Sequence, residues 1–352
     1  MVHGGAGQSR DVPRTTLNST LGGQHGTRDN KMRFRAQLAN VATFTKLIDS
    51  VNKLARRAVF TFTPEEIRLV STGDDEDGLQ LHGAIKVVDL FGSNYHVESN
   101  HHNIIPLEFS TQALASAVRQ TSSSPTEIVF RLGRLGRTPY LSLTAKTVGR
   151  SGTEYQVEQR VAVRVVKPEE AELLPKPCSP TPDVFLCLPK ISDICKVAER
   201  LKSLSDLITV SASRNGGFRL GISTEHARVE TEWRGLTPFH NRFSQATQDC
   251  KTDLIVLLMF KKTNSHRVPT TAQGTLRSTS AFFEATVKSR AFLRFLHAHI
   301  GDVSLASICE GYCLTLFNYI GDTSQLIETE NDERTSGSLF AVLSIVNEDG
   351  DT

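Results

Sequence analysis

One pattern, written four times along this chain, constrains its fold more than any short motif. It is a short alternating strand, then an amphipathic helix of about three turns, then further strands. A unit of this kind cannot bury its apolar face alone, so four of them imply a stacked or closed architecture. In the first copy Arg33–Leu38 is the opening strand. Val41, Phe44, Leu47, Ile48, Val51, Leu54 and Ala55 then form a stripe at helical spacing. Strands are expected at Ala58–Thr63, Ile67–Ser71 and Leu79–Val87, with Thr63-Pro64-Glu65 and the acidic Gly73–Gly78 segment as turns.

The second copy opens at Ile104–Phe109, where Pro106 predicts an edge or bulge. Ser110 is the expected N-cap of a helix over Thr111–Gln120, and strands follow at Glu127–Leu132, Tyr140–Lys146 and Tyr155–Val166. Residues 167–183 then carry five prolines, too many for regular structure, and read as a linker between two halves. The third copy begins at Val184–Leu188. Its helix, Lys190–Leu204, has Ile191, Ile194, Val197, Ala198, Leu201 and Leu204 as its inward face. Strands Leu207–Ser213, Phe218–Ser223 and Ala227–Trp233 complete it, with a hairpin turn at Asn215-Gly216. The fourth runs from Phe282–Val287 through a helix with Ser289 as N-cap, buried on Phe292, Leu293, Leu296 and Ile300. Val303–Cys309, Tyr312–Tyr319 and Ser338–Val346 are its strands. The division is therefore 32–166 and 184–347 as two domains of two units each, an α+β fold.

Two segments stand outside the pattern. Residues 1–31 are rich in Gly, Ser, Thr and Asn without apolar periodicity and are expected to be disordered. Met32 is read as the natural start, which N-terminal sequencing of the protein from its own cells would check. Residues 236–281 are long and weakly patterned, and their apolar run Leu254–Phe260 belongs to no unit. An insertion, a buried strand and read-through of a non-coding segment all fit that run. The last is preferred, and transcript sequencing decides it. That seven-residue run is the longest wholly apolar one, against roughly 20 needed to cross a bilayer, so no membrane partner is expected.

The chain has 40 Lys and Arg against 38 Asp and Glu, a net of +2, so any nucleic-acid role must rest on where the charge sits. Opposite the apolar stripe of the first helix lie Lys46, Ser50, Lys53 and Arg57, with Arg56 beside them. The second helix offers Arg119 and Gln120, the third Lys190, Lys196, Arg200 and Ser203, and the fourth Arg290, Arg294 and His297. On one helix this would be an ordinary solvated face. On four equivalent helices it predicts a positive surface that tracks phosphates without reading bases. Few aromatics interleave, which favours duplex backbone over single-strand stacking.

Enzyme readings are weak. No GxxxxGK[ST] or GxGxxG occurs, and Gly133–Gly136 reads as a turn between strands. Asp74, Asp75, Glu76 and Asp77 make a metal-dependent nuclease conceivable, but adjacent carboxylates on one loop rarely converge on one ion, and a solvated turn is the better reading. His297 and His299, two apart at a helix end, point in different directions. The six cysteines (178, 187, 195, 250, 309 and 313) show no CxxC spacing and read as reduced thiols, with Cys309 and Cys313 packed as small hydrophobes. No nucleophile, cofactor site or metal site is expected.

Three segments resemble a known family. Met32-Arg-Phe-Arg-Ala-Gln-Leu with the helix ending Lys-Leu-Ala-Arg resembles the opening of the hydroxyurea-sensitivity subunits of the DNA-damage checkpoint clamp. Val184-Phe-Leu-Cys-Leu-Pro with the helix through Val197-Ala-Glu-Arg-Leu-Lys resembles the start of their second half. Arg290-Ala-Phe-Leu-Arg-Phe-Leu-His with Ser307-Ile-Cys-Glu-Gly-Tyr-Cys resembles their closing unit. The resemblance spans roughly 32–233 and 282–347. It implies the sliding-clamp fold of the proliferating cell nuclear antigen and a heterotrimeric ring, the nine-one-one complex, with two other clamp subunits.

It further implies helices lining a channel for duplex DNA, loading by an ATP-driven clamp loader, recruitment of checkpoint and repair proteins, and a nuclear location. The implied channel residues are Lys46, Lys53, Arg57, Arg119, Lys196, Arg200, Arg290 and Arg294. The final strand, Leu339–Val346, departs from the family's usual ending and is a candidate subunit edge. A homotrimeric replicative processivity clamp is the alternative, and the nuclease a distant one.

Overall fold

The structure is a computed structural model that describes residues 32–72, 77–121, 125, 127–148, 152–176, 182–238, 280–301, 303–320 and 337–346. Residues 1–31, the Leu254–Phe260 run and most of 236–281 lie outside these.

Each predicted helix forms where its apolar period places it. Helix α1 spans Val41–Leu54 and buries Phe44, Leu47, Ile48, Val51 and Leu54. Asn40 caps it, its side chain accepting from the Thr43 N–H at 3.1 Å. Ala55, at φ −141° and ψ 143°, stops it. After the one-turn α2 (Val87–Leu90), α3 spans Thr111–Thr121. The proline-rich connection is not wholly irregular: Pro168–Glu172 forms a short helix, α4, because proline fits the first turn, where its missing N–H costs nothing. Helix α5 is Ile191–Lys202 and α6 is Ser289–His297. The apolar period of α5 fails at its end, where Leu204 is 59% exposed. Ser289 is the first residue of α6 rather than its cap, and its hydroxyl donates to the Ser205 carbonyl at 3.3 Å.

Seventeen strands are described, β1 (Arg33–Leu38) to β17 (Gly337–Ser344), in two antiparallel sheets. The smaller sheet joins β13 (Arg228–Trp233), β12 (Phe218–Ser223), β11 (Leu207–Ser213) and β14 (Phe282–Lys288) in that order. The larger runs β10-β15-β16-β17-β4-β3-β2-β6-β9-β8-β7-β1-β5. Within it β2 is Arg57–Phe62, β3 Glu66–Ser71, β4 Leu79–Lys86, β6 Ile105–Ser110, β7 Glu127–Leu135, β8 Thr138–Val148 and β9 Glu154–Val165. The rest are β5 (Phe91–Glu98), β10 (Val184–Cys187), β15 (Ser304–Cys309) and β16 (Cys313–Ile320).

Among the strands, three results differ from expectation. Strand β5 has no counterpart among the expected strands; it is held by pairing with β1 from Arg33↔Glu98 to Leu38↔Phe91. Pro106 marks no sheet edge, for β6 lies between β2 and β9, whose ladder with it begins only at Leu107. The last strand is no subunit edge either. β17 pairs with β16 on one side and with β4 on the other, from Gly337↔Ile85 to Leu343↔Leu79, so the sheet crosses from the chain's first half into its second. Gly337 permits that approach, because a Cβ there would sit 2.4 Å from the Ala84 carbonyl oxygen.

The helices form one layer. α1 packs on α3, α5 on α6, and α1 also meets α6, giving the sequence α3-α1-α6-α5. Their apolar faces and the inward residues of both sheets share one core, including Phe34, Phe60, Phe109, Phe130, Phe218 and Phe292.

Candidate nucleic-acid interface

The four long helices carry eight Lys and Arg against three carboxylates, Asp49, Asp193 and Glu199. That is a net +5 on one layer of a chain whose total is +2, so the remainder is net negative. The periodicity that buries one side of each helix forces these side chains onto the other.

The eight expected channel residues divide into two groups. Lys46 and Arg200 are exposed and form no ion pair among the described residues. Lys196 is 3.8 Å from Asp193 and Arg290 is 3.6 Å from Asp77, loose contacts on side chains 71% and 67% exposed. These four can turn to an incoming phosphate with little to break. Lys202, one turn-end beyond Arg200, is also exposed and was missed; its place in the basic last turn of α5 was the available signal.

The other four are already engaged. Arg119 of α3 grips Asp49 of α1 through Nη2 at 2.7 Å and Nε at 2.9 Å, tying the two helices together. Lys53 donates to the His297 carbonyl at 2.9 Å, satisfying an orphan acceptor at the end of α6. Arg294 is a structural tie: its Nη1 meets Asp77 Oδ2 at 2.9 Å and its Nη2 donates to the Leu54 carbonyl. Asp77, only 12% exposed, is thus not part of a solvated turn.

Arg57 is not on a helix at all, because α1 ends at Leu54 and Arg57 opens β2. Ser50, expected on the outer face, is buried. Arg57 instead donates to Glu108 Oε1 at 3.0 Å, while Arg164 donates to Glu108 Oε2 at 2.5 Å and to Glu170 of α4 at 2.6 Å. Burial alone would raise the Glu108 pKa, but hydrogen bonds from Arg164, Arg57 and Thr72 outweigh it and hold the carboxyl below its usual range. This cluster pins the start of the interhalf connection to β2, β6 and β9. Glu108→Ala is expected to lower stability by about 1–2 kcal/mol, read from the urea midpoint, the half-exposed arginines limiting the loss.

His297 and His299 face different partners. His297 Nε2 faces Glu199 at 3.0 Å, whereas His299 Nδ1 faces Asn318 at 3.3 Å. Cys309 and Cys313 are buried partners across the β15–β16 hairpin.

A layer of four long helices backed by two antiparallel sheets is the arrangement of the sliding-clamp class of fold, and solved structures bear the fold out. The proliferating cellular nuclear antigen of Entamoeba histolytica superposes with a TM-score of 0.58 at 11% identity, covering 89% of this chain and 99% of that one. The corresponding antigen of Thermococcus kodakaraensis gives 0.57 at 13% identity, covering 89% and 100%. The model of the Hus1-like protein family matches residues 32–328, and the chain belongs to that family. Among curated relatives, checkpoint protein hus1 of Schizosaccharomyces pombe is 27% identical over 292 residues, 83% of this chain and 94% of its own length. Checkpoint protein HUS1 of Homo sapiens is 24% identical over 214 residues, 58% and 74% of the two lengths.

Proposed function

We propose that this chain is a non-catalytic subunit of a heterotrimeric checkpoint sliding clamp that encircles duplex DNA in the nucleus and recruits signalling and repair proteins. The observation that carries the reading is the concentration of net positive charge on the one helix layer of a clamp-like fold. Lys46, Lys196, Arg200 and Arg290 would touch phosphates directly, with Lys53 and Arg119 adding to the field. Arg57 and Arg294 would serve the fold. Such contacts are strong enough to hold the ring near the backbone and screened enough to let it slide. An ATP-driven loader would open and close the ring.

Ring closure needs free sheet edges, and besides β5, β10 and β14, which end their sheets among the described residues, two further stretches are open on one side. β13 pairs only with β12, and residues 154–162 of β9 pair only with β8 among the described residues. An open edge is a template for a neighbouring strand. In this reading 32–166 and 184–347 are the two clamp domains and 167–183 their connection.

The test is the solution mass of the purified chain by light scattering. A value near the 38.8 kDa of one chain is expected, because its edges would need foreign partners. A mass three times larger would move the reading to a homotrimeric replicative clamp.

A further inference from the structure

The face of the larger sheet turned away from the helices holds a second concentration of positive charge. Across five neighbouring strands the residues of one row lie in direct register: His96 of β5 with Arg35 of β1, Arg35 with Arg131 of β7, Arg131 with Ser142 of β8, and Ser142 with Arg160 of β9. Cross-strand partners point to the same side of the sheet, and strands lie about 4.8 Å apart, so the row spans roughly 19 Å.

Its members are not equivalent. Arg160 is held by Glu158 at 2.9 and 3.2 Å and lies 5.2 Å from the Tyr140 ring centre. His96 sits 3.7 Å from Glu98. Arg35 and Arg131 are exposed and have no hydrogen bond or ion pair from their side chains among the described residues. Two like charges directly opposed on adjacent strands repel one another. One doubly charged anion between the two guanidinium forks would replace that repulsion with charge-assisted hydrogen bonds to both. The carboxylate Glu98 lies beside His96 at one end of the row, and Glu158, which holds Arg160 and also feels the Arg131 charge, lies toward the other. A continuous track of phosphates, as on a duplex, would run onto both, whereas a single phosphate centred on Arg35 and Arg131 sits between them.

We propose that Arg35 and Arg131 form a docking point for a phosphorylated serine or threonine on a peptide segment of a partner protein. The proposal deepens the reading of this chain as a recruiting clamp subunit, and rests on it for its biological sense. The binding step itself is measurable on the full chain alone.

The probe is a fluorescein-labelled peptide with one phosphoserine among glycines and serines, followed by anisotropy. Its unphosphorylated counterpart and a labelled short DNA duplex are run beside it. The phosphopeptide is expected to bind at least about tenfold more tightly than its counterpart. That preference should vanish in R35Q/R131Q, persist in R200Q on the helix layer, and weaken only partly in R35K/R131K, which keeps the charge without the fork. Duplex binding should be unchanged in R35Q/R131Q, whose exposed substitutions leave the thermal midpoint in place. No preference for the phosphopeptide, or a preference that survives R35Q/R131Q, overturns the proposal. Loss of duplex binding in R35Q/R131Q would assign the face to nucleic acid and overturn it equally. Failure of the clamp reading would show elsewhere, as duplex affinity indifferent to the helix-layer charges.

Discussion

Between pH 7 and pH 4 the protein is expected to lose about 3 kcal/mol of stability through His82 alone. The ring is 2% exposed, lies against Phe340 with centroids 5.2 Å apart and planes 18° from parallel, and leaves Nε2 without a hydrogen-bond partner among the described residues. Burial lowers its pKa from 6.5 to about 4, since the imidazolium would forfeit its hydration there. The unfolded chain therefore binds a proton that the folded one refuses. Stability from this group is complete above pH 6.5 and is lost as pH falls toward 4. His82→Phe keeps the stacking and removes the titration. Its urea midpoint should match or exceed the parent's at pH 7 and stay flat down to about pH 4.5, where loss of the depressed Glu108 carboxylate takes over. An unchanged slope between pH 6.5 and 4.5 in the variant would refute the assignment. The place matters, because His82 and Phe340 are cross-strand partners where β4 meets β17.

The second large effect concerns DNA. Changing Lys46, Lys196, Arg200 and Arg290 together to glutamine is expected to weaken duplex binding by the assembled ring roughly a thousandfold at 0.1 M salt. The slope of log affinity against log salt should fall by about 3 to 4, close to 0.9 for each phosphate contact removed. Arg294→Gln should behave differently, lowering the free energy of unfolding by about 2 kcal/mol while leaving the salt slope nearly intact, because its hydrogen bonds are spent inside the fold. A quadruple variant with the parental slope would mean that the helix layer does not face the duplex.

How far the sequence could be read depended on the range of each interaction. The helices were legible because burial leaves a period of 3.6 in α1, α3, α5 and α6, and the outward charges follow from the same period. Extrapolating that period misled where the backbone stopped obeying it. Arg57 continues the Lys46–Lys53 spacing on paper, yet Ala55 turns extended without any glycine or proline to announce it. Leu204 is the same error at the end of α5. Partnerships between distant segments left no local trace: Arg294 with Asp77, Arg57 and Arg164 with Glu108, β17 with β4. The clearest loss was the row of Arg35 and Arg131, which alternation places on an outward face but only strand order places side by side.

The β4–β17 pairing also sets a timetable for the newborn chain. β4 ends at Lys86 and its partner begins at Gly337, so the ribosome must deliver everything between before that edge can close. At 5–20 residues per second this takes roughly ten to fifty seconds. For that interval the edge of β4 is an open invitation to the wrong strand. Chaperone dependence during synthesis follows from where the last strand is stitched, whatever the finished protein goes on to do.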